Sequence, residues 1–376
     1  MGALEELIEL SSSNRNSAVK VWKEDGKKIV GYWCSYIPGE IIHAGKMFPY
    51  KVKGLNASGT SKADVYMAAV CNCTWSRSIL ELAYDGEYDF LDGLVGMNQC
   101  DHGRRAHELW VKNIGVPFDH FLVVPHKIEG QIVLDWYRKG LTDFKNHLED
   151  HFHTIITSDA LLNSISIFNE NRSLLKQLQE LQKEKYPRIR GSELHKVIIA
   201  GVSTPPEQYN ELLKRLLGEM SGREPITDCR ARIMVVGWWG DDTTLRNVVE
   251  EIGGLVVADN CCFGTRDYWD LVEIDGDPLD SIAKTYLHRS PCPRMMDGFA
   301  DRFDYIKKMA DEHDVDGIIL SRIQFCDLQG IDDFCLKLHE QDLGVPISSP
   351  IIQDYGSQDV GRLRTRCEAF IEQIEN

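Results

Sequence analysis

Asp92-Gly93-Leu94-Val95, then Cys100-Asp101, then Gly115-Val116-Pro117: this series returns later as Asp316-Gly317-Ile318-Ile319, Cys326-Asp327 and Gly344-Val345-Pro346. In each copy a short apolar run reads as a buried strand. The cysteine follows its carboxyl end, a helix-length stretch comes next, and another strand begins after the proline. Strand–helix–strand units of this kind build parallel sheets with right-handed crossovers. Open sheets of that type take ligands in the crevice beyond the strand carboxyl ends, where both cysteines fall. The competing reading is two ordinary Rossmann-like units whose cysteines match by chance. The shared aspartate–glycine start and glycine–valine–proline end argue against it.

On either side of this repeat the hydrophobic pattern is consistent with the same plan. Residues 29–33 read as a buried strand, and Pro38 opens a helix in Pro38-Gly39-Glu40-Ile41-Ile42-His43-Ala44, where a first turn tolerates proline. Arg232 to Gly237 reads as a strand running into the turn Trp238-Trp239-Gly240-Asp241-Asp242. A helix through Leu245, Val248 and Val249 and a strand from Leu255 to Ala258 follow. Between the two blocks, residues from about 158 to 222 carry helical spacing, with Leu161, Ile165, Leu174, Leu178 and Leu181 near a heptad. The expected fold is α/β, with two Rossmann-like (doubly wound parallel sheet) domains and a helical segment. Residues 1–150 would hold an N-terminal helix and the first α/β domain, 151–225 the helical segment, and 226–376 the second α/β domain. The functional site is expected in the cleft between them.

With 376 residues, 43% of them hydrophobic, the chain can bury a full core. Its net charge of −16 argues against a nucleic-acid partner, since a phosphate backbone wants a basic surface. The opening Met1-Gly2-Ala3-Leu4-Glu5-Glu6 is acidic and amphipathic, and no run of about 18 uncharged apolar residues occurs. The expectation is a cytoplasmic protein with no membrane partner. Eleven cysteines, an odd number without a secretion signal, argue against a disulfide framework.

A third cysteine joins Cys100 and Cys326 as a candidate ligand. It lies in Cys71-Asn72-Cys73-Thr74-Trp75-Ser76-Arg77-Ser78, just before a helix expected to begin near Ile79. Amides of a first helical turn favour a thiolate or an anionic cluster. Arg77, Arg104 and Arg105 place cations near two of the three, or else lie on solvated helix faces. Zinc competes, but structural zinc sites gather close cysteine pairs, and here only Cys71 and Cys73 stand close. Ferredoxin spacings do not occur. Three thiolates from three loops would leave one iron of a cluster open, which suits catalysis. Spacing alone leaves cluster and non-cluster readings open.

At these residues the chain resembles the 2-hydroxyacyl-CoA dehydratase and benzoyl-CoA reductase family. The resemblance runs nearly end to end, through Gly31 to Gly45, Cys73-Thr74-Trp75-Ser76-Arg77-Ser78, Tyr88 to Gly93 with Cys100-Asp101, Phe325-Cys326-Asp327, and Arg364 to Phe370. It implies a cubane [4Fe-4S] cluster on Cys73, Cys100 and Cys326; Cys71, where this chain departs from the family's pattern, is an alternative or additional thiol. It also implies a heterodimer with a homologous second subunit, and an ATP-hydrolysing iron–sulfur activator that delivers one electron at very low potential. This chain has no Gly-x-x-x-x-Gly-Lys-Ser/Thr loop to cradle ATP phosphates, in keeping with that division of labour.

The implied chemistry is radical: one electron enters an acyl-CoA thioester or its conjugated ring, in the setting of anaerobic metabolism. Cys73-Thr74-Trp75-Ser76-Arg77 and Cys100-Asp101-His102-Gly103-Arg104-Arg105 resemble the benzoyl-CoA type reductase branch more closely. The alternatives are a subunit of a (R)-2-hydroxyacyl-CoA dehydratase, a double-cubane-type reductase, or a non-catalytic electron-transfer subunit. Tyr36, Glu40, His43 and His102 are the candidate proton donors and acceptors facing the expected crevice. Cys34 follows the first strand near that crevice and is a candidate for a supporting role. Cys261-Cys262 is read as core packing, because adjacent cysteines point apart and rarely chelate one metal.

Overall fold

The computed structural model describes residues 1–237, 240–289, 292–356 and 359–376, so Trp238 and Trp239 of the expected turn lie outside the described residues. A first parallel sheet is built from β1 (Ile29–Tyr32), β2 (Phe48–Lys51), β3 (Gly93–Met97) and β4 (Phe118–Leu122), in the order β2-β1-β3-β4. A second is built from β5 (Ala231–Gly237), β6 (Gly254–Asn260), β7 (Gly317–Ile323) and β8 (Ile351–Gln353), in the order β6-β5-β7-β8. The two sheets share one topology, so the doubled pattern in the sequence is a doubled strand order. In each, the chain leaves the central strand to one side and returns on the other. The switch points, where such sheets open a crevice, lie between β1 and β3 and between β5 and β7.

Every residue of β3 and of β6 is buried, and parallel sheets covered on both faces require this. Helices α1 (Ala3–Ser11), α2 (Ser17–Glu24), α3 (Gly39–Ala44), α4 (Thr74–Tyr84) and α5 (Asp101–Asn113) accompany the first sheet in sequence. Next come α6 (Gln131–Phe152), α7 (Ser158–Glu180), α8 (Gly191–Gly201) and α9 (Pro206–Met220), the last two packing with α1. The second sheet carries α10 (Thr244–Glu251), α11 (Thr265–Tyr268), α12 (Pro278–His288), α13 (Phe299–Glu312), α14 (Asp327–Leu338), α15 (Glu340–Leu343) and α16 (Val360–Glu375). No described helix is long and apolar enough to cross a membrane.

Two departures from expectation matter for the site. Helix α4 starts at Thr74, five residues before Ile79, because Thr74, Ser76, Arg77 and Ser78 are buried polar residues that break the apolar period. Arg77 is held inside by Asp64 at 2.7 Å and by the Asn72 carbonyl at 3.2 Å. The second departure is the stretch between β6 and α13. It leaves its own sheet: α12 packs on α6 and α7, and Leu279, Ile282, Tyr286, Leu287 and Met295 share one core with Val30, Val95 and Met97 of the first sheet. Burying such side chains contributes roughly 1.5–3 kcal/mol each, so this segment fastens the two halves together.

Candidate functional site

Each of the three candidate ligands caps a helix. Cys73 precedes α4, Cys100 precedes α5 and Cys326 precedes α14, helices of 11, 13 and 12 residues. The Cys100 sulfur accepts from the Gly103 amide at 3.3 Å, and the Cys73 sulfur lies 3.1 Å from Ser76 Oγ. Phe325, just before Cys326, has a φ of 67°, a left-handed conformation that non-glycine residues adopt only at some cost. Gly237, at the end of β5, has a φ of 136°, and a Cβ there would meet the Ser321 carbonyl oxygen at 2.1 Å, so only glycine fits.

Cys100 and Cys326 come from opposite sheets and line one partly open cavity with room for about 100 Å³. Cys73 is buried beside them. Burial pushes the Cys100 thiol far up, and the neighbouring Cys73 and Cys326 push it further. Burial likewise drives Cys326 up to about 12, again with Cys73 adding to the rise. The three sulfurs therefore sense one another's charge. Cys71 is exposed and turned toward the Ala68 carbonyl, 3.8 Å away.

The same cavity holds three more thiols: Cys34, Cys262 and Cys292. Burial raises Cys34 to about 11. A hydrogen bond from Cys262 lowers the Cys292 thiol, with Arg266 and Arg294 adding to the effect. Cys262 is thus a cavity residue and not core packing. Cys261, its neighbour, is 1% exposed in the core under the second sheet, so the divergence of adjacent side chains holds but only one of the pair is packing. Cys292 has no sequence signal beyond being a cysteine, and Arg266, Arg289 and Arg294 have none.

The candidate proton groups divide. Tyr36 lines the cavity, and its hydroxyl accepts from the Cys292 amide at 3.4 Å. His102 Nδ1 accepts from the Cys73 amide at 3.4 Å and so supports that cap. Glu40 and His43 do not line the cavity, contrary to expectation, because α3 turns them onto α7. Glu40 is fully buried against Arg172 (2.6 Å) and the Tyr286 hydroxyl (2.6 Å), while His43 bonds Ser164 (2.8 Å) and Glu207 (2.9 Å). Arg104 and Arg105 are exposed and paired with Glu108, a solvated helix face, whereas Arg77 is buried beside Cys73 and lowers its thiol against the burial that raises it.

Three thiols from three separate helix starts are soft donors of the kind an iron–sulfur cluster takes. Among the described residues no three His, Cys, Asp or Glu side chains are grouped to hold one metal ion. Thiolates on one tetrahedral zinc must crowd together, with bonds near ~2.3 Å, whereas cubane ligands sit on different irons and spread apart. In the cavity wall, Arg266 Nη2 and Arg289 Nε are buried donors with no acceptor among the described residues. Cys367, by contrast, lies in the core under the second sheet. Cys367→Ser should leave bound iron unchanged while costing about 1–3 kcal/mol of stability in urea unfolding, the penalty of an unpaired buried hydroxyl.

Two Rossmann-like sheets of one topology, with thiols from both brought to one cavity, define the chain as a two-sheet α/β protein with its candidate site at the strand ends. More particularly, it belongs to the 2-hydroxyglutaryl-CoA dehydratase D-component family, whose model matches residues 34–374. It is 28% identical to the (R)-phenyllactyl-CoA dehydratase beta subunit of Clostridium sporogenes over 95% of this chain and 94% of that one. It is 26% identical to one of the benzoyl-CoA reductase subunits of Thauera aromatica over 83% and 82%. It is 25% identical to the (R)-2-hydroxyglutaryl-CoA dehydratase beta subunit of Acidaminococcus fermentans over 99% and 98%.

Proposed function

We propose that this chain is the iron–sulfur subunit of an ATP-activated, low-potential enzyme acting on acyl-CoA, with Cys73, Cys100 and Cys326 holding a [4Fe-4S] cluster. The observation that carries this is that Cys100 and Cys326, at the starts of helices from opposite sheets, line one cavity with Cys73 buried beside them. When bound, such a cluster supplies single electrons at low potential to a thioester or its conjugated ring. The chain's own residues do the rest. Trp33 and Leu328 give part of the cavity wall an apolar surface. Tyr36, buried with its hydroxyl proton held tightly, is the cavity's candidate proton donor.

Among acyl-CoA reactions we place reduction of an aryl-CoA of the benzoyl-CoA type first, on the segments following Cys73 and Cys100. Dehydration of a (R)-2-hydroxyacyl-CoA is the alternative, and both kinds of enzyme stand among the relatives. A specific observation also favours a double-cubane-type reductase: Cys34, Cys262 and Cys292 offer a second set of three thiols in the same cavity.

One preparation separates these. The anaerobically purified chain, with a homologous second subunit and an ATP-hydrolysing activator, should turn over an acyl-CoA only when ATP and a low-potential donor are present. Benzoyl-CoA against a 2-hydroxyacyl-CoA distinguishes reductase from dehydratase. About four irons per chain supports one cubane and about eight supports two. Zinc in place of iron overturns all of these readings. Turnover by the isolated chain with an ordinary reductant and no nucleotide puts the protein in another system.

A further inference from the structure

Three buried arginines stand in the cavity wall. Arg266, Arg289 and Arg294 are 4%, 3% and 2% exposed. Arg266 bonds the Asn260 side-chain oxygen and the Cys262 sulfur, the latter at 3.8 Å. Arg289 bonds the carbonyls of Ser35, Arg266 and Asp267. Arg294 bonds the carbonyls of Asn98, Pro125 and Val124 and the Met295 sulfur. None of these acceptors is a carboxylate. The opposite charges that reach them are Asp267, which Lys51 also pairs at 3.1 Å, Asp270, Asp332 and the cavity thiols Cys262 and Cys292.

A buried charge acts strongly on its neighbours because the local dielectric is low. Here three guanidinium groups line the cavity that Cys100 and Cys326 also line, and Arg266 Nη1 lies 3.8 Å from the Cys262 sulfur. All three come from the stretch between β6 and α13, Arg266 from α11 beside β6 and Arg289 and Arg294 from the chain after α12.

We infer that Arg266, with Arg289 and Arg294 in the same cavity wall, is a positioning residue for the electron-rich form of the cavity's occupant: its fixed charge raises the potential at which that centre accepts an electron. This rests on the reading that an iron–sulfur cluster occupies the cavity. An electron added to the cluster increases its negative charge, and fixed cations at short range favour that state in a low-dielectric site.

The test is an EPR-monitored redox titration of anaerobically reconstituted wild type, Arg266→Gln and Arg266→Lys, with iron and sulfide counted in each. Arg266→Gln should keep its iron yet show at least a tenfold lower ratio of reduced to oxidised centre at fixed poise, about 59 mV lower in midpoint. Arg266→Lys, which keeps the charge, should recover most of that shift. An unchanged midpoint in Arg266→Gln, or an equal fall in both variants, overturns the inference. If Arg266→Gln folds normally but loses iron, retention in Arg266→Lys supports the charge argument and loss in both overturns it. A wild-type chain that binds no iron overturns the cluster reading itself.

Discussion

Cys326→Ser and Cys100→Ser should each strip the chain of most of its iron, from about four irons and four labile sulfides to below about one. Iron prefers thiolate, the soft ligand, and a serine hydroxyl at either cap is hard and harder to ionise. Changes that merely reorient a metal ligand typically cost about 10–100-fold in metal affinity, so loss of a ligand atom should exceed that. The geometry leaves little room for a substitute at Cys326, because its position is set by the left-handed Phe325 and by the start of α14. Cys335, further along α14, is the matched control, and Cys335→Ser should keep the brown colour and the iron. Iron, sulfide and absorbance near the charge-transfer band measure the result. Full iron in Cys326→Ser would remove Cys326 from the site, and Cys34, Cys262 and Cys292 would become the ligands to test next.

Glu40→Ala should destabilise the protein by about 3–5 kcal/mol in urea unfolding, whatever it does to turnover. Glu40 is fully buried, one oxygen on Arg172 and the other on the Tyr286 hydroxyl, and Arg172 itself is 4% exposed. Removing the carboxylate strands a guanidinium in the interior, which costs more than the pair contributed. The double variant Glu40→Met with Arg172→Met should therefore recover much of the loss, since replacing both partners by apolar groups is often near neutral. A stability change below about 1 kcal/mol together with abolished turnover would return Glu40 to proton chemistry.

How much of the molecule is legible in its sequence follows from where each signal lives. The strand–cysteine–helix–strand repeat is local, since apolar period, turn residues and helix starts are set by neighbours in the chain. Cys100 and Cys326 can therefore be placed at strand ends from their own flanks. The start of α4 is not legible, for the opposite reason: Arg77 and Ser78 are buried by partners such as Asp64, and burial of a polar residue leaves no mark on hydrophobic spacing. Glu40 and His43 follow the first strand, which points them at the crevice on sequence grounds. The rotation of a six-residue helix, decided by its packing on α7, turns them elsewhere.

The sequence by itself determined the two parallel sheets, the helices between them and the family, because these depend on periodicity and on motifs a few residues long. The tertiary structure alone decided which groups share the cavity. Tyr36 and Cys292 meet although 256 residues separate them, and Cys34, Cys262 and three buried arginines arrive beside Cys100 and Cys326. What brings them there is the core shared by α12, α6 and the first sheet. Burial of that apolar surface is non-directional and is summed over the whole fold, so no short stretch of chain records it.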